Sequence, residues 1–323
     1  MNKLSSLLDK FAGKKIIVLG DSMLDKYIWG EVSRISPEAP VQVIDVHRES
    51  FSPGGAANVA MNAAILGGEV SLMGITGNDD ARTLLLNMLR SKGIAVDGMI
   101  IEHDKPTTLK MRIMGRSQQL LRVDYEKRSH AHPEIEKQLI EYLTSHIDSA
   151  DAIIVSDYAK GVITKKTMET LIALAHKKKK VVVVDPKPQN KKLYKGASVI
   201  TPNHAEACQL ANSEIENGES IISIGEELVK DLDTNIVLTR GEKGMSVFEK
   251  GKEAVHIPTQ AKEVYDVTGA GDTVVATIAL ALACGASVHD AALLANHAAG
   301  VKVAKIGTSS VSREEIKYSL EVS

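Results

Sequence analysis

Short, continuously apolar runs recur along the chain, and each stops at a small cluster of polar or glycine residues. The run 15–19 ends at Gly20-Asp21, 152–155 at Ser156-Asp157, 181–184 at Asp185, 198–200 at Thr201-Pro202-Asn203, and 236–238 at Thr239-Arg240-Gly241. Strands buried on both faces carry this unbroken signature, whereas half-solvated strands alternate. Between them, apolar positions recur at helical spacing over 56–66, 80–92, 134–146, 166–176, 219–231, 272–282 and 288–305. Strand and helix in alternation predict an α/β fold, a doubly wound and mainly parallel sheet flanked by helices. Ligands of such sheets bind beyond the strand carboxyl ends, so Asp21, Asp157, Asp185, Asn203 and Gly241 are expected around one crevice.

Two stretches alternate instead. Residues 27–46 read as one or two exposed strands around Ser36-Pro37-Glu38-Ala39-Pro40, and 107–125 as a hairpin turning near Gly115-Arg116-Ser117. Together they predict a small second sheet projecting as a lid. Its edges need a cover, which a second copy of the chain would supply, so a homodimer is expected. No repeat, low-complexity segment or long linker interrupts the sequence, and residues 1–323 are read as one domain with the lid formed by about 27–46 and 107–125.

The chain has 323 residues, and its 44% apolar content suffices for a sizeable core, while a formal charge of −2 with interspersed signs argues against nucleic acid or a membrane surface as partner. The run Lys177 to Lys180 reads as a solvated helix end. Cys208 and Cys284 both fall in apolar helical patterns, so neither a disulfide framework nor a zinc site is expected, and a reducing, cytoplasmic setting fits. Residues 1–12 lack a signal-peptide core, and the longest apolar stretch, 274–284, is too short for a bilayer and reads as a central buried helix. The ten histidines show no paired metal-ligand spacing.

The chemistry concentrates in Asp266-Val267-Thr268-Gly269-Ala270-Gly271-Asp272. Small residues at Gly269, Ala270 and Gly271 let backbone N–H groups converge where the next helix begins, which makes an anion cradle. Asp272 at its rim would take a proton from a hydroxyl attacking a phosphoryl group; the plainer alternative is a glycine turn with Asp272 as a helix-start residue. No G-x-x-x-x-G-K-[ST] loop is present, and the first strand leads to Gly20-Asp21-Ser22-Met23 rather than G-x-G-x-x-G, which argues against a nicotinamide dehydrogenase. A second glycine turn, Pro53-Gly54-Gly55-Ala56-Ala57-Asn58, precedes an early helix and permits close approach to a sugar.

Gly54-Gly55-Ala56-Ala57-Asn58 and the late Asp266-to-Asp272 turn, with Asn203-x-x-Glu206 and Thr239-x-Gly241-x-x-Gly244 in order between them, resemble the ribokinase-like (PfkB-type) carbohydrate kinases along essentially the whole chain. The segments beginning Ser33-Arg34-Ile35-Ser36-Pro37-Glu38, Gln118-Gln119-Leu120-Leu121-Arg122, Ser156-Asp157-Tyr158-Ala159-Lys160-Gly161, Pro258-Thr259-Gln260-Ala261 and Lys305-Ile306-Gly307-Thr308-Ser309 are similar, more narrowly, to the kinase half of bifunctional heptose-phosphate kinase/ADP-heptose synthetases. That resemblance implies ATP-dependent phosphorylation of the anomeric oxygen of D-glycero-D-manno-heptose 7-phosphate to the 1,7-bisphosphate, in nucleotide-activated heptose synthesis for lipopolysaccharide or S-layer glycans. Ser117 and Ala276 stand where Asn and Gly are expected. The nucleotidyltransferase signature is absent from these residues, so the chain is expected to stop at the bisphosphate.

The resemblance implies Asp272 as catalytic base and the amides of Gly269, Ala270 and Gly271 as the stabilisers of the transferring group. Asn203, His204, Ala205 and Glu206 would lie by the ATP phosphates, Glu206 acting on Mg2+ through water, although Asn203 and Glu206 also have capping-box spacing. Thr239, Gly241 and Gly244 would contact nucleotide, and Asn296 and Gly300 would flank adenine. Asp21, Gly54, Gly55, Asn58 and Asp157 would bind the sugar; Arg34, Lys110, Arg112, Arg122 and Lys160 are candidates for its 7-phosphate. Asp266, with residues 307–310, would hold a monovalent cation such as K+. Rival readings are another sugar kinase of the same fold and a non-catalytic sugar-binding regulator.

Overall fold

Each of the five unbroken apolar runs is a strand of one sheet. The computed structural model describes residues 3–116, 118–213, 221–305 and 309–322. Its elements are α1 (Lys3–Asp9), β1 (Lys15–Gly20), β2 (Ser22–Ile35), β3 (Gln42–Gly55), α2 (Ala56–Ile65), β4 (Glu69–Thr76), α3 (Asp80–Arg90), β5 (Ala95–Ile101), β6 (Leu109–Gly115), β7 (Gln118–Tyr125), α4 (Pro133–His146), β8 (Ala152–Ser156), α5 (Lys165–Lys178), β9 (Val181–Asp185), β10 (Val199–Ile200), α6 (His204–Leu210), α7 (Ile221–Leu232), β11 (Asn235–Thr239), β12 (Met245–Phe248), β13 (Val255–Ile257), α8 (Ala270–Ala283), α9 (Val288–Val303) and α10 (Arg313–Glu321). The main sheet runs β13-β12-β11-β10-β9-β8-β1-β4-β5. It is parallel from β5 to β11, and β12 and β13 add an antiparallel edge.

Alternate residues of each inner strand feed opposite cores, as the two-residue period of a strand requires. Ile16, Val18 and Ile154 pack with α2, α3, α8 and α9 on one face, while Ile17, Leu19, Ile153 and Val155 pack with α4 to α7 on the other. This is the expected doubly wound arrangement. The central helix α8 is buried on every side from Asp272 to Ala281, as its all-apolar composition predicts. It begins at Ala270, two residues earlier than its apolar pattern indicated, because Gly269 supplies the turn (φ 75°) and Ala270 and Gly271 form its first positions. No helix among the described residues is long and apolar enough to cross a membrane.

The lid is a second sheet of order β3-β2-β6-β7. Its strands exceed the expected 27–46: β2 and β3 pair from Ser22–Gly55 at the base to Ile35–Gln42 at the tip. Their inner residues, including Met23, Leu24, Gly54 and Gly55, are buried, so the alternation that marks the exposed part fails there. The hairpin of β6 and β7 matches the expected 107–125, with Arg116 at φ 53°; Ser117 lies outside the described residues. Strands β4 and β5 were not among those expected. Gly74 interrupts the apolar run of the first, and the second is short and only partly buried.

Candidate active site

The two glycine turns meet where β1, β8 and β9 end. Asp272, the third residue of α8, is 7% exposed. Its Oδ2 accepts a hydrogen bond from Asn58 Nδ2 at 2.5 Å, and its Oδ1 accepts one from the Tyr158 hydroxyl at 3.1 Å. Asn58 is itself held by Asn62, whose Nδ2 donates to the Asn58 carbonyl at 2.8 Å. Burial pushes the Asp272 carboxyl above its usual range, partly opposed by the bonds from Asn58 and Tyr158. Tyr158 is driven well above the usual phenol range by burial and by Asp272 and Asp185, so it remains a donor.

Of the expected amide cradle, Ala270 N–H closes the turn on the Val267 carbonyl at 3.2 Å. The amides of Gly269, Gly271 and Asp272 have no protein acceptor among the described residues. The amides left to meet an anion at this turn are therefore those of Gly269, Gly271 and Asp272, whereas the Ala270 amide, also expected there, is engaged. Gly269 at φ 75° folds residues 267–270 into a turn that the Ala270 amide closes, which a reading by small residues alone does not reveal.

In front of these amides lies a cavity of about 190 Å³ lined by Asp185, Lys187, Asn203, Glu206, Thr239 and Asp272, among others. It shares Thr239, Gly271 and Val274 with a mainly apolar cleft of about 420 Å³, which brings together Gly241, Gly244, Asn296 and Gly300 as expected. Asn296 Nδ2 donates to the Pro258 carbonyl at 2.6 Å, which fixes one wall. Asn203 and Glu206 form the full capping box of α6, and Glu206 Oε1 also lies 2.5 Å from Lys187 Nζ. His204 and Ala205 line neither cavity. They occupy the exposed outer side of the first turn, a consequence of helical period at i+1 and i+2 from the cap.

Lys187, Tyr158 and Asp25 were not singled out from the sequence. Lys187 stands two residues beyond the carboxyl end of β9, in Asp185-Pro186-Lys187, and the strand-end rule that picked out Asp185 is the signal that reaches it. Asp185 is pushed well above the carboxylate range, first by burial and then by Asp272 and Glu206. Asp25 sits at the lid base: a Cβ on Gly54 would come within 2.3 Å of its Oδ2, so any larger residue there would displace this carboxylate.

Two expected sugar ligands are otherwise engaged. Asp21 accepts three backbone N–H groups, from Tyr158 (2.9 Å), Lys160 (3.0 Å) and Val162 (3.2 Å). Asp157 accepts from Ala159 N–H, Asn190 and the Tyr194 hydroxyl at 2.6–2.7 Å. Both are buried strand-end carboxylates that anchor the loop after β8, a use that burial and N–H supply favour over a free site. Of the lid cations, Lys110, Arg112, Arg122 and Lys160 gather at the lid base, bound to Asp25, Asp124 and Glu126. Arg34 is not with them; it is exposed near the lid tip, about 30 Å along β2 from Asp25 at strand rise. Asp266 Oδ1 accepts from Thr268 N–H at 2.9 Å. Residues 307 and 308 of the expected cation segment lie outside the described residues.

Against known proteins, the model of the pfkB family carbohydrate kinases matches residues 14–315. The chain belongs to that family. Curated relatives include the "Bifunctional protein HldE" of Geobacter sulfurreducens, 48% identical over 305 residues, covering 94% of this chain and 62% of that protein. The protein of the same name from Wolinella succinogenes is 45% identical over 302 residues, covering 93% and 63%. The chain thus spans less than two thirds of these relatives' length. Among solved structures, Arabidopsis thaliana ribokinase with ribose and ATP superposes with a TM-score of 0.75 at 20% identity, covering 97% of this chain and all of that one. Phosphofructokinase-2 from Escherichia coli with potassium gives 0.79 at 18%, covering 96% and 99%. Both share the ribokinase-like fold.

Proposed function

We propose that this chain transfers the γ-phosphoryl group of ATP to the anomeric oxygen of D-glycero-D-manno-heptose 7-phosphate, yielding the 1,7-bisphosphate and ADP. The observation that carries the reading is the Asp272 carboxylate at the junction of the lid base and the phosphate cavity, with a hydrogen-bond donor on each oxygen and three unclaimed amides beside it. The heptose assignment draws its support from the segments quoted above and from the identity of 40–48% to HldE proteins over most of the chain.

The acceptor hydroxyl would lie against Asp272, which takes its proton as the new P–O bond forms. An anomeric hydroxyl is more acidic than an ordinary alcohol, so a carboxylate suffices. Charge on the transferring group would be met by the Gly269, Gly271 and Asp272 amides and the α8 N-terminus. Asn58 and Tyr158 orient the base. Adenine would enter the apolar cleft at Asn296 and Gly300, with Thr239, Gly241 and Gly244 along the nucleotide. Asp25 and Gly54 would meet sugar hydroxyls, and the Lys110, Arg112, Arg122 and Lys160 cluster would receive the 7-phosphate by exchanging carboxylate partners.

The oxygen-only side chains of Glu206 and Asp185 fit a hard cation, and these residues would hold Mg2+, Glu206 through water. When bound, it neutralises phosphate charge. We read residues 1–323 as one kinase domain that dimerises through its lid, where Val32, Ile35, Val41, Val46, Phe51, Leu121 and Tyr125 are exposed. Light scattering that finds a monomer counts against the dimer. Phosphorus NMR of the product from heptose 7-phosphate and ATP tests the function: a new anomeric phosphate is expected. No transfer to this sugar, with transfer to another in a substrate panel, would favour a different sugar kinase.

A further inference from the structure

Lys302 is the most deeply buried lysine among the described residues, 2% exposed. It projects from the last turn of α9, behind the phosphate turn. A Cβ on Gly269 would stand 3.6 Å from Lys302 Cε, so the end of this side chain lies against the turn whose Gly269, Gly271 and Asp272 line the cavity, while Lys302 itself is not among the cavity's lining residues. The Val303 carbonyl accepts the N–H groups of Tyr265 (2.8 Å) and Asp266 (3.2 Å), pinning the strand of chain that enters the turn to the same helix end. A buried ammonium is retained only where negative charge or carbonyl oxygen compensates it. Asp266 and Asp272 favour its charge, while burial, first, and Lys305 oppose it, leaving its proton affinity below that of an ordinary lysine. The negative end of α9 adds to the compensation.

Asp266 is the residue at which a monovalent cation is expected from the family resemblance. A second single positive charge there would sit beside an ammonium already buried in low dielectric and be repelled by it. The described residues around Asp266 therefore do not suit an added ion. We propose that the Lys302 ammonium is the chain's own monovalent cation, polarising the phosphate turn from behind, and that the protein works without K+. The proposal rests on reading Gly269 to Asp272 as the phosphoryl-binding turn.

The test compares tetramethylammonium with potassium salts at matched ionic strength, using melting temperature with ADP, ADP affinity by calorimetry, and kcat with heptose 7-phosphate. For the parent protein, kcat and ADP affinity should agree within about twofold between salts, and melting should not respond to K+ specifically. Lys302→Ala, which opens space, should lose on the order of 10²-fold in kcat in tetramethylammonium and regain part of it with K+. Lys302→Met preserves packing if the alanine variant does not fold, and should lose turnover in both salts. A parent kcat or ADP affinity raised about tenfold or more by K+ overturns the proposal; so does full turnover of Lys302→Met. If heptose 7-phosphate is not phosphorylated at all, the function assigned above fails, while the melting and ADP measurements still decide on the cation.

Discussion

Asn58 and Asp272, 214 positions apart in the chain, are joined by a 2.5 Å hydrogen bond from Nδ2 to Oδ2. One belongs to the helix that starts at the early glycine turn and the other to the helix that starts at the late one. This bond brings the sugar-side and phosphate-side motifs to one carboxylate.

Asp272→Asn should leave fold and nucleotide affinity intact and lower kcat on the order of 10²–10⁴-fold, the usual contribution of a general base. The amide keeps the size and the place in the first turn of α8 but cannot accept the hydroxyl proton. A kcat within a few-fold of the parent would move the base elsewhere.

Tyr158→Phe removes the donor to Asp272 Oδ1. Hydrogen bonds to the ionised form hold a carboxyl pKa down, so losing one raises it further above its usual range. The base is active only when deprotonated. The acidic limb of the kcat/KM profile should therefore move to higher pH, with little change in the alkaline limb. An unmoved acidic limb would separate Tyr158 from the base.

Glu206→Gln retains the ability to close the capping box but loses the charge that pairs with Lys187. Melting temperature should hardly change, while the Mg2+ concentration needed for half-maximal turnover rises. A loss of thermal stability with turnover unaffected would leave Glu206 as a cap alone.

Glu126 ties the lid base to the loop after β8 through Lys110 and Lys160. Burial tends to raise its carboxyl, but these ammoniums and Arg128 prevail and bring it from 4.5 to about 2. A carboxyl depressed in the folded state contributes stability above its unfolded value and loses it as pH falls from 4.5 through about 2. Urea midpoints of Glu126→Gln should be lower than the parent's at neutral pH and converge with them across that window. Parallel curves would show that the pairs contribute nothing.

The inner strands were legible because burial on both faces writes a continuous apolar run, and α8 because it is buried all round. The long bases of β2 and β3 were not, since Met23, Leu24 and Gly54 follow the core's pattern rather than the lid's. Thr239, Gly241, Gly244, Asn296 and Gly300 assemble as the order of motifs foretold. Asp21 and Asp157 show the limit: a strand-end carboxylate looks the same in sequence whether it faces a ligand or a neighbouring loop's amides. Only the paths of residues 158–162 and 190–194 decide between them. Lys302 was hidden because a lysine near a helix end is ordinarily solvated, and its burial depends on where a segment 36 positions earlier passes.

The two strands that carry Asp25 and Gly54 at the base are the same two that reach the lid tip, each 14 residues long. At about 3.3 Å per residue the ribbon is a lever arm of roughly 45 Å. A tilt too small to notice at the sugar becomes a displacement of several ångströms at its far end. Substitutions at the tip, remote from any reacting atom, therefore act with mechanical advantage on the geometry of the site, and their kinetic effects need not shrink with distance.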